Sequence, residues 1–473
     1  MRRGHTISNL DWFTILIFLV LLALGWFNIF SAVYSEQHPN IFDLDQRYGK
    51  QFLWITAALL IAIVVILIDF RFYEFFGYFI YGAAVFSLLL VLFAGREING
   101  AKSWFVIGPF QIQPSEFAKP AVALALAKYL STYNINIHRF RTFITTAFII
   151  FSPALLILLQ PDTGSALVFF AFVLPVYRQG FSAAILIIIV SLGVLFILVL
   201  TLSELVMLGI IVTCAFIAFW IIAESYKKTL LILLYYLLTV GIIFAFFYLI
   251  GSKISFYISG IIASGIFAIA FSVIVYFRRI KNVIYIILGT VIAIIFTFSV
   301  DYGFNHYLSK YQQHRVNIVL GIESDPLGAG YNVNQSMIAI GSGGLTGKGY
   351  LKGTQTKLRF VPEQSTDFIF CTVGEEWGFI GTTLVILIFM VLFYRLIVLA
   401  ERQRNAFARI YGYGVVSVLF FHFAINIAMT IGIFPVIGIP LPFFSYGGSS
   451  LWAFTILLFI FLRMDASRMD FLT

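Results

Sequence analysis

The strongest constraint on this chain is the recurrence of apolar runs long enough to cross a bilayer. A helix needs about twenty such residues to span the hydrocarbon layer. Fourteen candidates are predicted, near 12–33, 51–69, 74–94, 115–131, 141–160, 164–178, 183–201, 204–223, 229–250, 255–277, 282–300, 368–393, 410–433 and 448–463. Of the 473 residues 61% are hydrophobic and only 11% are charged, a usage no ordinary soluble domain has. The predicted fold is therefore an all-α, polytopic membrane protein of about 14 transmembrane helices, forming a single integral membrane domain over 1–473. The first run is too long for a signal-peptide core and lacks a small-residue cleavage site, so it reads as an uncleaved helix. The run 164–178 is short, and 368–393 is long enough to contain a broken helix.

The placement of basic residues predicts an orientation, because cytoplasmic loops carry an excess of Lys and Arg. With the N-terminus cytoplasmic, 18 of the 30 Lys and Arg residues fall on the inner side. Six occupy short outer loops, and six lie in the long polar segment 301–367, which the rule largely ignores. Both termini are then cytoplasmic, and 301–367 is a long extracytoplasmic loop. Cys214 and Cys371 sit in or beside apolar runs, which argues against a disulfide framework or a thiolate metal site. The six histidines show no metal-ligand spacing. Gly341–Gly349 has the glycine richness of a phosphate loop. Its first glycine is out of register, however, no Ser or Thr follows Lys348, no strand precedes it, and ATP is absent on that side. No nucleic-acid partner is predicted.

Charges within a membrane bundle are costly and are functional candidates by default. Glu116 and Lys119, three apart in Pro114-Ser115-Glu116-Phe117-Ala118-Lys119, share a helix face. They read equally as a neutralising ion pair or as the lining of an anion-binding cavity. Asp162 in Gln160-Pro161-Asp162-Thr163-Gly164 reads as a helix cap or a site residue. Glu375 and Glu376 are adjacent on a helix and cannot both face one cavity, so at most one is expected to point inward, and Gly374, Gly378 and Gly381 mark close contact or a break. The stretch Pro435–Ser450 reads as a rigid turn. Asp325 precedes Pro326, an ordinary turn starter.

Taken together these stretches resemble the SEDS (shape, elongation, division and sporulation) family. The resemblance is carried by Asn99–Trp104, Gln113–Lys119, Gln160–Gly164, Ser324–Gly330, Ala339–Gly344, Gly347-Lys348-Gly349, Gly353-Thr354-Gln355, Pro362-Glu363, Thr366–Phe370 and Pro442–Ser450, in the family's order. Gly-Lys-Gly and Gly-Thr-Gln favour the elongation branch over the division branch. The resemblance implies a peptidoglycan glycosyltransferase in the bacterial cytoplasmic (inner) membrane. Its substrate would be lipid II on the outer face, and its partners a class B penicillin-binding protein transpeptidase and the elongation machinery.

By the same resemblance Asp325 matches the essential loop aspartate of a catalytic loop at 301–367. Glu116, Lys119 and Asp162 match polar positions around the family's cavity. Trp104, Asp367, Glu375, Glu376 and Ser445 are further cavity candidates. Glycosyl transfer needs a base for the acceptor hydroxyl and charge stabilisation for a leaving pyrophosphate. Asp325 is the expected general base, with Lys119, Arg315 and Lys348 as the expected cations. No cofactor is implied with certainty, a divalent cation is left open, and the metal ligands are unknown. Two departures stand out. Ser365 replaces a histidine found in many members, and the usual ten helices leave about four extra ones near 180–280. The alternatives are a lipid II flippase and a non-catalytic activator of the penicillin-binding protein. The glycine-rich half of the loop is expected to be a mobile cover.

Overall fold

The computed structural model describes residues 9–34, 40–98, 100–108, 110–132, 135–137, 139–223, 226–250, 256–278, 283–306, 310, 313, 317, 331–358 and 360–468. They divide into two compact units, one built from 1–183 with 326–473 and the other from 184–325. The second unit starts close to the beginning of the expected insertion and runs past its end at 280.

The first unit opens with α1 (Trp12–Val33), α2 (Arg47–Leu67) and α3 (Phe70–Ala94). Polar caps set two of these starts: Asp11 accepts from the Thr14 amide, and Asp69 from the Arg71 amide. After α3 comes a small antiparallel sheet of β1 (Arg96–Ile98), β2 (Ala101–Ile107) and β3 (Phe110–Ile112). Arg96 pairs with Trp104, and Val106 with Gln111. This corrects the all-α expectation. The signal was present: Asn99-Gly100 is a hairpin dipeptide, and Gly100 takes φ +82.

Next come α4 (Pro114–Leu130) and α5 (Phe140–Leu158). Thr163–Arg178 is broken into α6 (Thr163–Leu167), a 3₁₀ turn (Val168–Phe172) and α7 (Val173–Arg178). The unit resumes with α13 (Tyr331–Ser342), α14 (Thr354–Lys357), α15 (Ile369–Glu401), α16 (Ala406–Thr430) and α17 (Gly448–Ala466). The second unit holds α8 (Ala183–Thr201), α9 (Glu204–Ala223), α10 (Tyr226–Leu249), α11 (Phe256–Arg278) and α12 (Val283–His306). Its packing centres on Tyr236, Val240 and Ala263, with Phe219 against Val283.

Ten helices among the described residues are long and apolar enough to cross a membrane. The fourteen expected runs all fall on helix, but α4, with 17 residues, and the broken 163–178 stretch are among those that fall short. α4 makes up for its length by burial. It packs against α3, α5, α16 and α17, and Ala118, Ala121, Ala123, Ala125 and Ala127 are all buried. Small residues let helices approach closely where lipid supplies no hydrophobic drive. α16 and α17 are enclosed as well, with 61% and 83% of their most apolar stretches buried.

The expected loop 301–367 is only partly a loop. α12 continues to His306, and α13 and α14 lie inside the segment. Nor is its glycine-rich half a free cover. α15 breaks at Gly378 (φ 66, ψ −160), as its glycines suggested, and a helix break strands backbone groups that lipid cannot satisfy. Residues 344–349 take them up: Lys348 N donates to Glu375 O and Gly349 N to Glu376 O, both at 3.0 Å. In the other direction Phe379 N donates to Gly344 O (2.9 Å) and Ile380 N to Leu345 O (3.1 Å). These bonds also occupy the amides a phosphate loop would offer.

Candidate active site

The polar side chains of the first unit gather around α4, α15, α16 and the turn before α17. Deepest is a cluster on α4. Lys119 Nζ lies 2.6 Å from Glu116 Oε1, with the two side chains 1% and 3% exposed. The same ammonium is 2.9 Å from His422 Nε2 on α16 and 5.5 Å from the Phe454 ring centroid on α17. The ion-pair reading of Glu116 and Lys119 is thus realised. Lys119 does not line open space, which corrects its expected role as a cation facing the pyrophosphate. His422 was missed because its partner lies 303 residues away in sequence. In the chain it looked like one of six scattered histidines.

Asp162 serves as a cap and more. Its Oδ1 accepts from Ser165 N at 3.0 Å, and its Oδ2 accepts from Gln113 Nε2 at 2.8 Å, tying the start of α4 to the start of α6. Trp104 sits half-buried in β2.

The turn between α16 and α17 is pinned on both sides. Ser445 Oγ donates to Thr366 O (2.6 Å) and accepts from Leu441 N (2.9 Å). Asn426 Nδ2 donates to Asp367 O (2.8 Å) and Ile439 O (2.7 Å), so Asp367 is held at the same junction. Ser365, the departure from the family pattern, accepts from Arg47 Nη1 at 2.8 Å, and its carbonyl accepts from Tyr446 N at 2.9 Å. Arg47 also pairs with Glu363 (3.3 Å), with both side chains about half exposed. Arg47 is a second residue that motif reading passed over.

Glu375 and Glu376 are both buried, at 0% and 2% exposure. Their helix ends two residues later at Gly378, and each points into a different set of partners. Glu375 accepts from Lys348 Nζ (2.8 Å), Gln355 N (2.8 Å), Thr356 N (2.9 Å) and the Thr356 hydroxyl. Glu376 accepts from the Ser31 hydroxyl on α1. The two carboxylates therefore tie α15 to two different neighbours, Glu375 to α14 and Glu376 to α1. Lys348 is already neutralised by Glu375, and its Nζ also donates to Thr354 Oγ1 at 2.8 Å.

Asp325 and Arg315 lie outside the described residues. Among the described residues no group of three or more His, Cys, Asp or Glu side chains converges as a metal site. Cys371 is buried beside Ala339, Val361 and Phe368.

Comparison with known proteins identifies the family. The family model for FTSW_RODA_SPOVE, cell cycle protein, matches residues 11–235 and 212–470. The peptidoglycan glycosyltransferase RodA of Treponema pallidum is 33% identical, over 99% of this chain and 100% of that protein. The peptidoglycan glycosyltransferase MrdB of Escherichia coli K12 is 30% identical, over 92% and 88%. A chain in a solved peptidoglycan synthase complex, one described as coordinating polymerization and crosslinking, is 28% identical. It covers 97% of this chain and 98% of its own length, with a TM-score of 0.61. The rod shape determining protein RodA of Thermus thermophilus shares the fold at TM-score 0.55 and 23% identity, over 97% of both chains. The chain is a multi-pass membrane protein of the FTSW_RODA_SPOVE, or SEDS, family, and within it is RodA-like.

Proposed function

We propose that this protein is a peptidoglycan glycosyltransferase that polymerises lipid II into glycan strands during cell elongation. It acts on the outer face of the cytoplasmic membrane, with both termini cytoplasmic, beside a class B penicillin-binding protein. The observation that carries the reading is the end-to-end match to the Treponema pallidum enzyme, 33% identical over 99% of this chain. The geometry supports it. The family's polar motifs are joined by hydrogen bonds, Gln113 to Asp162, Asn426 to Asp367 and Ser445 to Thr366, and Lys119 meets His422 across 303 residues of sequence.

In this reading Asp325 takes the proton from the acceptor 4-hydroxyl as that oxygen attacks the donor's anomeric carbon. The lipid pyrophosphate leaves with the electron pair of the broken bond. A hydrolase flanks its glycosidic bond with two carboxylates; here the leaving group is already good, and one base suffices. Lys119 acts indirectly, pairing with Glu116 and meeting His422 so that α4 and α16 stay in register; Lys348, tied to Glu375, holds its own segment in place, and Arg315 is the cation for the pyrophosphate. Grooves between helices hold the polyprenyl tails. Asp325→Ala and Asp325→Asn, assayed with the partner by gel separation of lipid II products, should make no strands. Wild-type rates in either variant would remove Asp325 from the mechanism.

A further inference from the structure

His422 is enclosed, with 1% of its surface exposed, and no sequence motif pointed to it. Its two ring nitrogens have partners of opposite kind. Nε2 lies 2.9 Å from the Lys119 ammonium, which can only donate, and Nδ1 lies 3.2 Å from the Pro440 carbonyl, which can only accept. Only the neutral imidazole with its proton on Nδ1 satisfies both. The imidazolium and the other neutral tautomer would each set a donor against the ammonium. The ring stands edge-to-face on Phe454, centroids 4.7 Å apart, which fixes its plane.

One turn further along α16, Asn426 donates to Ile439 O and Asp367 O. One helix face thus holds two successive carbonyls, 439 and 440, of the turn that leads to Ser445. Behind that face, through Nε2, lies the Glu116–Lys119 pair of α4.

We infer that His422 is a positioning residue for glycosyl transfer: a tautomer-locked link that carries the placement of the α4 ion pair to the Pro440–Ser445 turn. The charged groups around it are Lys119 and Glu116 from α4; Phe454 from α17 and the Pro440 carbonyl complete the contact. The link explains why a lysine sealed from solvent sits in the site. Its ammonium is the donor that selects the histidine tautomer. The turn it holds also carries Phe443 in left-handed backbone (φ 63), a conformation costly for a bulky residue that persists only where surrounding contacts enforce it.

The inference rests on the glycosyltransferase reading, and the experiment separates the two. Lipid II turnover is measured for the full chain with its class B partner, transpeptidation blocked, across a range of lipid II concentrations. His422→Phe keeps the ring against Phe454 and removes both hydrogen bonds. Its kcat should fall about 100-fold with KM little changed, the effect of a small misplacement remote from the reacting atoms. His422→Gln keeps an acceptor toward Lys119 and should recover most of that loss. Should His422→Phe not fold, His422→Gln and His422→Asn carry the test, each keeping one side of the link and each expected to turn over below wild type. Wild-type kcat in His422→Phe, or in both polar variants, overturns the inference, as does Gln performing no better than Phe. An inactive wild type would instead overturn the glycosyltransferase reading.

Discussion

The break in α15 offers a prediction whose size follows from the structure. At φ 66 and ψ −160, Gly378 occupies backbone space that is essentially closed to other residues, at a cost of about 1–3 kcal/mol. A Cβ placed there would lie 2.3 Å from Gly347 N and 2.8 Å from the Leu345 carbonyl carbon, both backbone atoms. No side chain can swing away to relieve that contact, so residues 344–349 must move. Movement breaks some of the four hydrogen bonds joining them to α15, each worth about 0.5–1.5 kcal/mol net. Gly378→Ala should therefore cost about 2–6 kcal/mol, adding the strain to the loss of two such bonds. Thermal unfolding in detergent should show a drop on the order of 5–10 °C. Hydrogen exchange should show lost protection at the 348, 349, 379 and 380 amides. Gly341→Ala is the control. It lies in α13 with nothing within 4 Å of the added Cβ, and it should be neutral or stabilising by about 1 kcal/mol. Equal stability and protection in Gly378→Ala and wild type would refute the account of the break as a backbone joint.

Two further outcomes follow from the charged anchors. Glu375→Gln should loosen α14 and its flanks, because an uncharged amide cannot hold Lys348 or accept from both the 355 and 356 amides as strongly. Trypsin should then cut after Lys352 and Lys357 faster than in wild type, and an unchanged cleavage rate would argue against the anchor. At the start of α1, burial works against the Asp11 carboxylate, but hydrogen bonds from Arg395 and Thr14 outweigh it and hold its pKa below the ordinary carboxylate range. A carboxylate depressed by folding adds stability above its unfolded pKa and loses it as pH falls toward the folded value. The melting temperature of wild type should accordingly fall more steeply than that of Asp11→Asn between about pH 5 and pH 3. Parallel curves would contradict the assignment.

What was legible in the sequence was whatever local chemistry determines. Long apolar runs announced helices, and every one of the fourteen runs lies on helix, because length and hydropathy suffice for that. The three-residue spacing of Glu116 and Lys119 announced their pairing, and Gly374, Gly378 and Gly381 announced the break in α15. What escaped depends on partners distant in the chain. Glu375 and Glu376 were read by helix geometry alone, which allows one inward direction. The Gly378 break and two separate neighbours, α14 and α1, bury both. The 341–353 stretch looked mobile because it is rich in glycine and lysine, yet Gly343 and Gly347 let its backbone meet that of α15. His422 has no local signature; only the packing of α16 against α4 reveals it.

The central claim is tested most directly by supplying lipid II to the purified chain together with its class B penicillin-binding partner, the partner's transpeptidase blocked. The account predicts long uncrosslinked glycan strands that disappear with Asp325→Asn. No strands from the wild-type pair, with the partner still stimulated by the chain, would contradict it and mark the protein as an activator without catalysis of its own.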